Sequence, residues 1–438
     1  MPFNYVTVQA SSDLFAPATR AFGDILVIGK GAIGSTASAA QSFTSPSEAV
    51  QAYPKGATKL ADKVEPPIKT ANVVAKFPVG TEVVIGEDDA AEVRKITAAT
   101  DLAGGKSTWT LDDELEIAHA ADDPVVALGM SDLAAAISTA FRQTPPPTRV
   151  WGLAVAHSSP VWSTAFTAAK DVPAQIVVLA NTPLNEQPST NHPVEQLAKH
   201  VIEVSASGGD GSERIGVAML DRTLTQTKQI ALNTGDIHNN RMVLVAHESD
   251  DDVAAAVAGV IAGCEPHISL LLKPISIKMT ELFSAGDIQT YAENSINWVT
   301  SPVLLPGHAL YLGEGLTASP SGNKKYIDIV RTLDDISFRV KAALIQAIGD
   351  LRIDRPGLRT VVTLVQSVLS PLVTRGVIES YAIHIPLLVL LERERATLTP
   401  DELEQISQGR SGRNVAMEVS VVYAGVIHQI AVKLVLKG

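Results

Sequence analysis

The sequence predicts a multidomain α/β protein with a three-layer, mostly parallel sheet domain, a small all-β insert and an α+β C-terminal domain. Three observations support this fold class. From about residue 129, short apolar strands alternate with helices of about a dozen residues, as in parallel sheets covered on both faces. Between 66 and 128, short strands and turns replace that alternation. Beyond residue 320, long amphipathic helices precede alternating strands.

Composition excludes several classes of protein. The 438 residues are 46% hydrophobic and 19% charged, which predicts a packed chain of roughly two to four domains without large disordered regions. The net charge is −12, and the 35 basic residues form no clustered run, so we expect no nucleic-acid partner. The single cysteine, Cys264, excludes an internal disulfide framework and a thiolate metal cluster.

The sequence gives no sign of targeting or membrane insertion. The first residues lack the basic region and the apolar core of a signal peptide. No apolar run reaches the roughly 18 residues of a membrane-spanning helix, and the nearest one contains Pro386. We therefore expect a protein that is made and folded in the cytosol.

The elements follow in order along four predicted segments. Residues 1–20 form an arm in which Phe3 and Tyr5 belong to a short alternating strand that needs a partner. Residues 21–65 and 129–320 form the α/β domain, whose first strand covers 24–28. Residues 66–128 form the β insert, because glycine and aspartate turns separate its strands.

Residues 321–438 form the C-terminal domain. A long helix with an apolar stripe is followed by a second helix that ends at Gly376, and by a strand in "IESYAIHIPLL". A terminal hairpin closes the chain. Its last strand alternates apolar and polar residues almost to the final position, where free ends normally fray.

The stretch "GDILVIGKGAIGSTASAA" has the glycine spacing of a dinucleotide site, with Gly29, Gly31 and Gly34 after an apolar strand. Such a site also needs a second strand that ends in Asp or Glu about 20 residues later. The following "QSFTSPSEAVQAYPKG" holds two prolines and reads as a short capped helix. We therefore interpret the glycines as an architectural turn and keep an NAD(P)-dependent oxidoreductase as an alternative.

No other motif predicts catalysis, a cofactor or a metal. "AGGKST" at 103–108 lacks the first glycine and the helix of a phosphate loop, so we predict a hairpin turn. "AHSSP" around His157 lacks a nucleophile elbow and reads as a strand-to-helix cap. The acidic stretches "GEDDAAE" and "HESDDD" lack the ligand order of a calcium loop and read as solvated turns.

Three stretches resemble one family. "LYLGEGLTASPSGNKKYIDIVRTLDDISFRVKAAL", "LVTRGVIESYAIHIP" and "ILVIGKGAIGSTASAAQSFTSPSEAVQAYPKG" are similar to the sheath proteins of contractile phage tails and related injection systems. Their order along the chain also fits that family. Glu314 stands where the family usually has Arg, and Tyr53-Pro54 stands where it has Phe-Gly. The alternating hairpin at the end of the chain agrees with the resemblance.

The resemblance implies a structural, non-enzymatic subunit with a subtilisin-like but non-catalytic sheet domain. Such a subunit polymerises helically around an inner tube and contracts to drive the tube through a cell envelope. The implied partners are further copies of the chain in stacked hexameric rings, the inner tail tube protein, and the baseplate and tail terminator proteins. The implied location is the contractile tail of a virion, assembled in the host cytoplasm. A closed-ring phage structural protein or a carbohydrate-binding one remains an alternative.

The same reading assigns two sets of contact residues. Strands exchanged between subunits are expected to use Phe3, Tyr5, Val415, Met417, Val419, Ile430, Val432, Leu434 and Leu436. Polar side chains on and after the long helix are expected to face the inner tube, namely Arg331, Asp335, Arg339, Arg352 and Arg355.

Overall fold

The fold is described from a computed structural model of the chain. The structure describes residues 23–33, 35–186, 191–206, 211–279, 281–305, 309–319 and 324–425. These residues divide into two compact units; the larger reaches Val330 and the smaller begins at Arg331.

The first part of the larger unit is rich in strands. Its elements are β1 (Ile25–Lys30), β2 (Gln41–Phe43), α1 (Pro46–Ala52), β3 (Pro54–Lys59), β4 (Ile68–Val73), β5 (Glu82–Ile85), β6 (Glu92–Asp101), β7 (Ser107–Leu115) and β8 (Pro124–Met130).

The rest of the larger unit alternates helices and strands. Its elements are α2 (Asp132–Phe141), β9 (Val150–Val155), α3 (Trp162–Ala169), β10 (Ile176–Leu179), α4 (Pro193–Ser205), β11 (Ile215–Met219), α5 (Gln226–Ala231), β12 (Met242–Ala246), α6 (Val253–Gly263), β13 (Pro274–Ile275), α7 (Ala285–Glu293), β14 (Asn297–Thr300) and β15 (Leu310–Leu312).

Nine of these strands form one mostly parallel sheet in the order β13-β15-β14-β12-β11-β10-β1-β9-β2. Strand β1 lies between β9 and β10 and is parallel to both, which confirms that the first predicted strand belongs to this sheet. Its side chains alternate between two cores. Ile25 and Val27 pack with α2 and α6, whereas Leu26 and Ile28 pack with α3 and α4. The alternation explains why buried parallel strands read as continuous apolar runs.

The insert is an antiparallel barrel. Its six strands run in the order β3-β8-β5-β6-β7-β4, and a bridge between Leu60 and Val73 joins the two outer strands. The rings of Phe77 and Trp109 lie 5.0 Å apart in its core. The first strand, β3, lies upstream of the predicted boundary at residue 66. Its sequence, "PKGATK", has no apolar alternation by which it could be recognised.

The smaller unit combines helices with one small sheet. Its elements are α8 (Ile327–Ile345, which starts in the larger unit), α9 (Arg355–Thr374), β16 (Ile378–His384), α10 (Pro386–Glu392), α11 (Pro400–Gly412) and β17 (Glu418–Tyr423). The predicted strand "IESYAIHIPLL" is wrong beyond His384, because Pro386 begins α10. Strand β17 pairs antiparallel with β16, and residues 426–438 of the predicted hairpin lie outside the described residues.

Helix α9 is long and apolar enough to cross a membrane when judged by length and composition alone, and no other described helix passes that test. Its apolar side chains, including Val365, Leu369 and Leu372, form the core of the smaller unit. A core helix is apolar for this reason too, so the composition of α9 is weak evidence for membrane insertion.

Candidate functional site

The glycine turn after β1 lacks the geometry of a dinucleotide site. A Cβ at Gly29 would lie 2.5 Å from the Cβ of Ala180, so close strand packing explains this glycine. Residues 35–40 form no helix, and the chain returns as β2 at the sheet edge, antiparallel to β9. A pyrophosphate site needs the N-terminus of a helix directly after the turn. Gly34 lies outside the described residues.

Two other motifs are structural. The predicted hairpin turn at 103–108 is confirmed, since Asp101 of β6 pairs with Ser107 of β7 across it. His157 lies after β9, with its Nδ1 atom 3.3 Å from the carbonyl oxygen of Gly31. No described carboxylate forms a hydrogen bond or ion pair with this histidine, and Ser158 beside it is exposed. The geometry therefore shows no catalytic triad there.

Neither acidic stretch is the solvated turn that the sequence predicts, since His247 and Ser249 of "HESDDD" are buried, as is one residue of "GEDDAAE". Glu92, at the end of "GEDDAAE", is buried, and its carboxylate contacts Arg94 at 2.8 Å and His119 at 3.1 Å. The prediction of a solvated turn is therefore wrong for this residue, because the barrel encloses it. Within the described ranges, no group of three or more His, Cys, Asp or Glu residues is arranged to hold a metal ion.

Asp252, at the end of "HESDDD", serves as a helix cap. Its Oδ1 atom accepts a hydrogen bond from the backbone of Ala255, which caps α6, and its Oδ2 atom accepts one from the backbone of Asn181. Burial raises the pKa of this carboxyl group to about 6. The sequence places this carboxylate directly before a helix, and the structure shows that it caps that helix. Its role is therefore structural.

The residues expected to face the inner tube differ in accessibility. Arg331 is only 7% exposed, so its guanidinium is not on the surface of this chain. Asp335 and Arg339 form an ion pair of 2.8 Å in which both side chains are mostly buried. Arg355 is exposed but donates to the carbonyl oxygens of Leu391 and Arg393. Of this set, Arg352 is exposed and has no partner among the described residues.

The small sheet of β16 and β17 has two open edges among the described residues. Each strand pairs only with the other, from Ile378 with Tyr423 to His384 with Glu418. Val419 and Val421 turn toward the core of the smaller unit, whereas Val422 is 49% exposed. A sheet of two strands is only marginally stable by itself, and its open edges offer backbone donors and acceptors to further strands.

The expected exchange residues fall into two groups. Val415, Met417 and Val419 are half-buried in or just before β17. The remaining six, Phe3, Tyr5, Ile430, Val432, Leu434 and Leu436, lie outside the described residues.

A groove that the sequence did not predict opens beside these strands. This C-terminal groove has a volume of about 770 Å³ and lies between the end of α8, the start of α9 and the segment before β17. Its lining is mainly aliphatic and includes Leu344, Ile348, Leu351, Leu358, Val361, Val415 and Met417.

Three arginines, which we call the basic rim, surround this groove: Arg352, Arg410 and Arg413. Each is exposed, and none forms an ion pair with a described carboxylate. Arg410 donates from Nε to the carbonyl oxygen of Ile353 at 3.2 Å. Arg410 and Arg413 lie far from most of the lining residues in the sequence. They reach the groove because they lie at the end of helix α11.

Comparison with known proteins identifies the fold. No protein-family model and no curated protein matches the sequence. A chain of the sheath complex of the PVC extracellular contractile injection system, in the contracted state, has a TM-score of 0.58 and 12% identity over 98% of each chain. A chain of the anti-feeding prophage baseplate has a TM-score of 0.56 and 11% identity over 100% of this chain and 99% of that one.

A chain of the anti-feeding prophage helical sheath in the contracted state gives a TM-score of 0.54 and 10% identity over 99% of each chain. The prediction of a mixed α/β protein with several sheets is confirmed. The chain therefore has the fold of the sheath proteins of contractile injection systems.

Proposed function

We propose that the protein is a structural, non-enzymatic subunit of a contractile sheath. The observation that carries this proposal is the likeness of the whole chain, along its full length, to chains of two contractile injection systems, including sheaths in the contracted state. The subunit would polymerise helically around an inner tube and drive it through a cell envelope. Heterologous contacts between copies generate such open helical polymers.

The open sheet of β16 and β17 supports strand exchange as the link between subunits. In the stretch "IAVKLVLK" at 430–437, every second residue is a large aliphatic one, which is the pattern of a strand with one buried face. An exposed edge of β16 or β17 would accept such a strand from a neighbour through backbone hydrogen bonds. The donors would be Phe3, Tyr5, Ile430, Val432, Leu434 and Leu436, and the receiving side would hold Val415, Met417 and Val419.

The expected polymer is a stack of rings, hexameric in our proposal, that encloses a tail tube and joins a baseplate and a terminator protein. Arg352 and Arg355 are the proposed contacts to the tube, because both are exposed whereas Arg331 is buried. Polar contacts of this kind are easily replaced by water, which suits a tube that must be released. The structure would belong to the contractile tail of a virion or related particle, assembled in the host cytoplasm.

Electron microscopy of the purified full-length protein tests the proposed function. We expect helical tubes or stacked rings that share one inner diameter. Sedimentation under the same conditions measures the polymer fraction and serves as the quantitative readout. Closed rings of fixed size that never stack would contradict the sheath and favour the closed-ring alternative.

A further inference from the structure

The most exposed apolar side chains of the described chain lie in one tight turn. Between β14 and β15, the backbone N–H of Leu305 donates to the carbonyl oxygen of Pro302 at 3.1 Å, which places Val303 and Leu304 at the two corners. Val303 is 99% exposed and Leu304 is 95% exposed. Turn corners usually carry Gly, Asn, Asp, Ser or Pro, so two large aliphatic side chains at this place need an explanation.

We call residues 302–305 the aliphatic turn. Its side chains restrict the kinds of molecule that it can bind. It contains no aromatic ring on which a sugar could stack and no charged group that would attract an ion. Two adjacent aliphatic side chains on a projecting turn instead favour insertion into an apolar cavity of a protein. The matching surface must be concave, aliphatic and able to satisfy the polar backbone of the turn.

The C-terminal groove has these properties. Its lining is mainly aliphatic, and Ile348 on it is 76% exposed, so no described residue covers this part of the groove. Arg410 and Arg413 of the basic rim supply guanidinium donors that form no ion pair with a described carboxylate. Arginines of this protein repeatedly donate to backbone carbonyl oxygens, as Arg410 does to Ile353 and Arg393 does to Thr397. Such donors can satisfy the carbonyl groups of an inserted turn.

We propose that the aliphatic turn of one subunit inserts into the C-terminal groove of a second copy of the chain. The inference rests on the proposed sheath function, which supplies identical neighbours and requires contacts between two different surfaces. A projection and a cavity on one chain form a head-to-tail contact that does not close upon itself. Neighbouring subunits would thus be held by this contact between side chains as well as by the backbone hydrogen bonds of the exchanged strands.

Cysteine cross-linking identifies the partner. In a Cys264→Ala background, Leu304→Cys combined with Ile348→Cys should give a ladder of covalent multimers after mild oxidation, visible on a non-reducing gel. Either cysteine alone should give dimers at most. The matched control pairs Leu304→Cys with Val79→Cys, at a valine that is 60% exposed in the barrel, and should form no ladder.

A charged substitution gives the second readout. Leu304→Asp should lower the sedimentable polymer at least tenfold, whereas Val79→Asp should leave it unchanged. Normal polymers without the 304–348 ladder, or an unchanged polymer yield for Leu304→Asp, would overturn this contact while leaving the sheath function standing. Absence of polymer from the wild-type protein would instead overturn the proposed function, and this contact with it.

Discussion

Arg214 is a buried cation that holds three neighbouring carbonyl groups. It is 2% exposed, and its guanidinium donates to Ala169 and Val172 at 2.6 Å and to Lys170 at 3.1 Å. It also contacts Nε2 of His200 at 3.0 Å. These carbonyl groups belong to the end of α3 and the residues after it. Those of Ala169 and Val172 also accept backbone hydrogen bonds, at 3.2 Å from Val172 and 2.9 Å from Ala174, whereas that of Lys170 has no backbone donor among the described residues. The side chain of Arg214 therefore holds the C-terminal end of α3 next to α4.

We expect Arg214→Met to lower the free energy of unfolding by about 3 kcal/mol, because it removes three hydrogen bonds from a charged, buried donor and leaves the carbonyl group of Lys170 without one. Chemical denaturation of the purified protein measures this change. Arg222→Met is the control, since Arg222 is 42% exposed and pairs with an exposed Asp250. That variant should change the free energy by less than about 1 kcal/mol. Equal losses in the two variants would show that Arg214 has no special role.

His200 predicts a dependence of stability on pH. Burial, helped by the nearby charge of Arg214, lowers its pKa to about 3. The unfolded chain protonates this histidine near pH 6.5, so between pH 6.5 and 3 the unfolded state binds more protons and stability falls as the pH falls. Its contribution to the loss between pH 6.5 and 5 is about 2 kcal/mol.

The variant His200→Gln keeps an acceptor for Arg214 but removes the titration. We expect its unfolding free energy to fall less than that of the wild type between pH 7 and pH 5. His384→Gln, at an exposed histidine of β16, is the matched control and should keep the wild-type slope. Parallel pH profiles for wild type and His200→Gln would show that protonation of His200 does not destabilise the fold.

At the scale of elements, the barrel has adjoining ends. Pro54 at the start of β3 and Met130 at the end of β8 are partners in the strand register. The barrel core is also separate from the cores on the two faces of the large sheet. A module with neighbouring ends and its own core can be removed without separating the elements on either side.

Replacing residues 55–129 by a short Gly-Ser linker should therefore leave a folded protein, as circular dichroism and gel filtration would show. Because we predict that the insert lies on the outside of the polymer, the shortened protein should still polymerise. Removing only 66–128 is the informative comparison, because it leaves β3 without β8 and should reduce the soluble yield. Loss of soluble protein in the first variant would contradict an independent module.

Elements with a clear apolar period were predictable from the sequence. The five central strands of the large sheet, β1, β9, β10, β11 and β12, and the hairpin turn at 103–108 follow from local patterns, whereas β2, β14 and β15 are too short to show one. Helix α11 was missed because its surface is largely polar, although Thr399 and Glu402 form a capping box that marks its start. The groove was not predictable, because side chains far apart in sequence, such as Leu344 and Met417, meet there.

At the scale of the whole molecule, assembly rather than stability should depend on the last residues of the chain. In the proposed exchange, Val432 donates a backbone hydrogen bond to a neighbouring subunit. Val432→Pro removes that donor and opposes pairing within a sheet, so it should abolish polymers while leaving a folded monomer. Val432→Thr keeps the N–H and the β-branched shape and is the control. Sedimentation compares the variants, and normal polymers from Val432→Pro would contradict the exchange of this strand.

The central place of β1 in the sheet has a consequence for synthesis. This strand leaves the ribosome well before its neighbours β9 and β10, which begin about 125 and 150 residues later. At roughly 5–20 residues per second, the apolar strand waits on the order of ten seconds for a partner. The barrel lies between them and can close during that delay. We therefore expect that the barrel of the nascent chain is already folded while β1 is still unpaired. The exposed β1 strand is then the segment that a chaperone would bind.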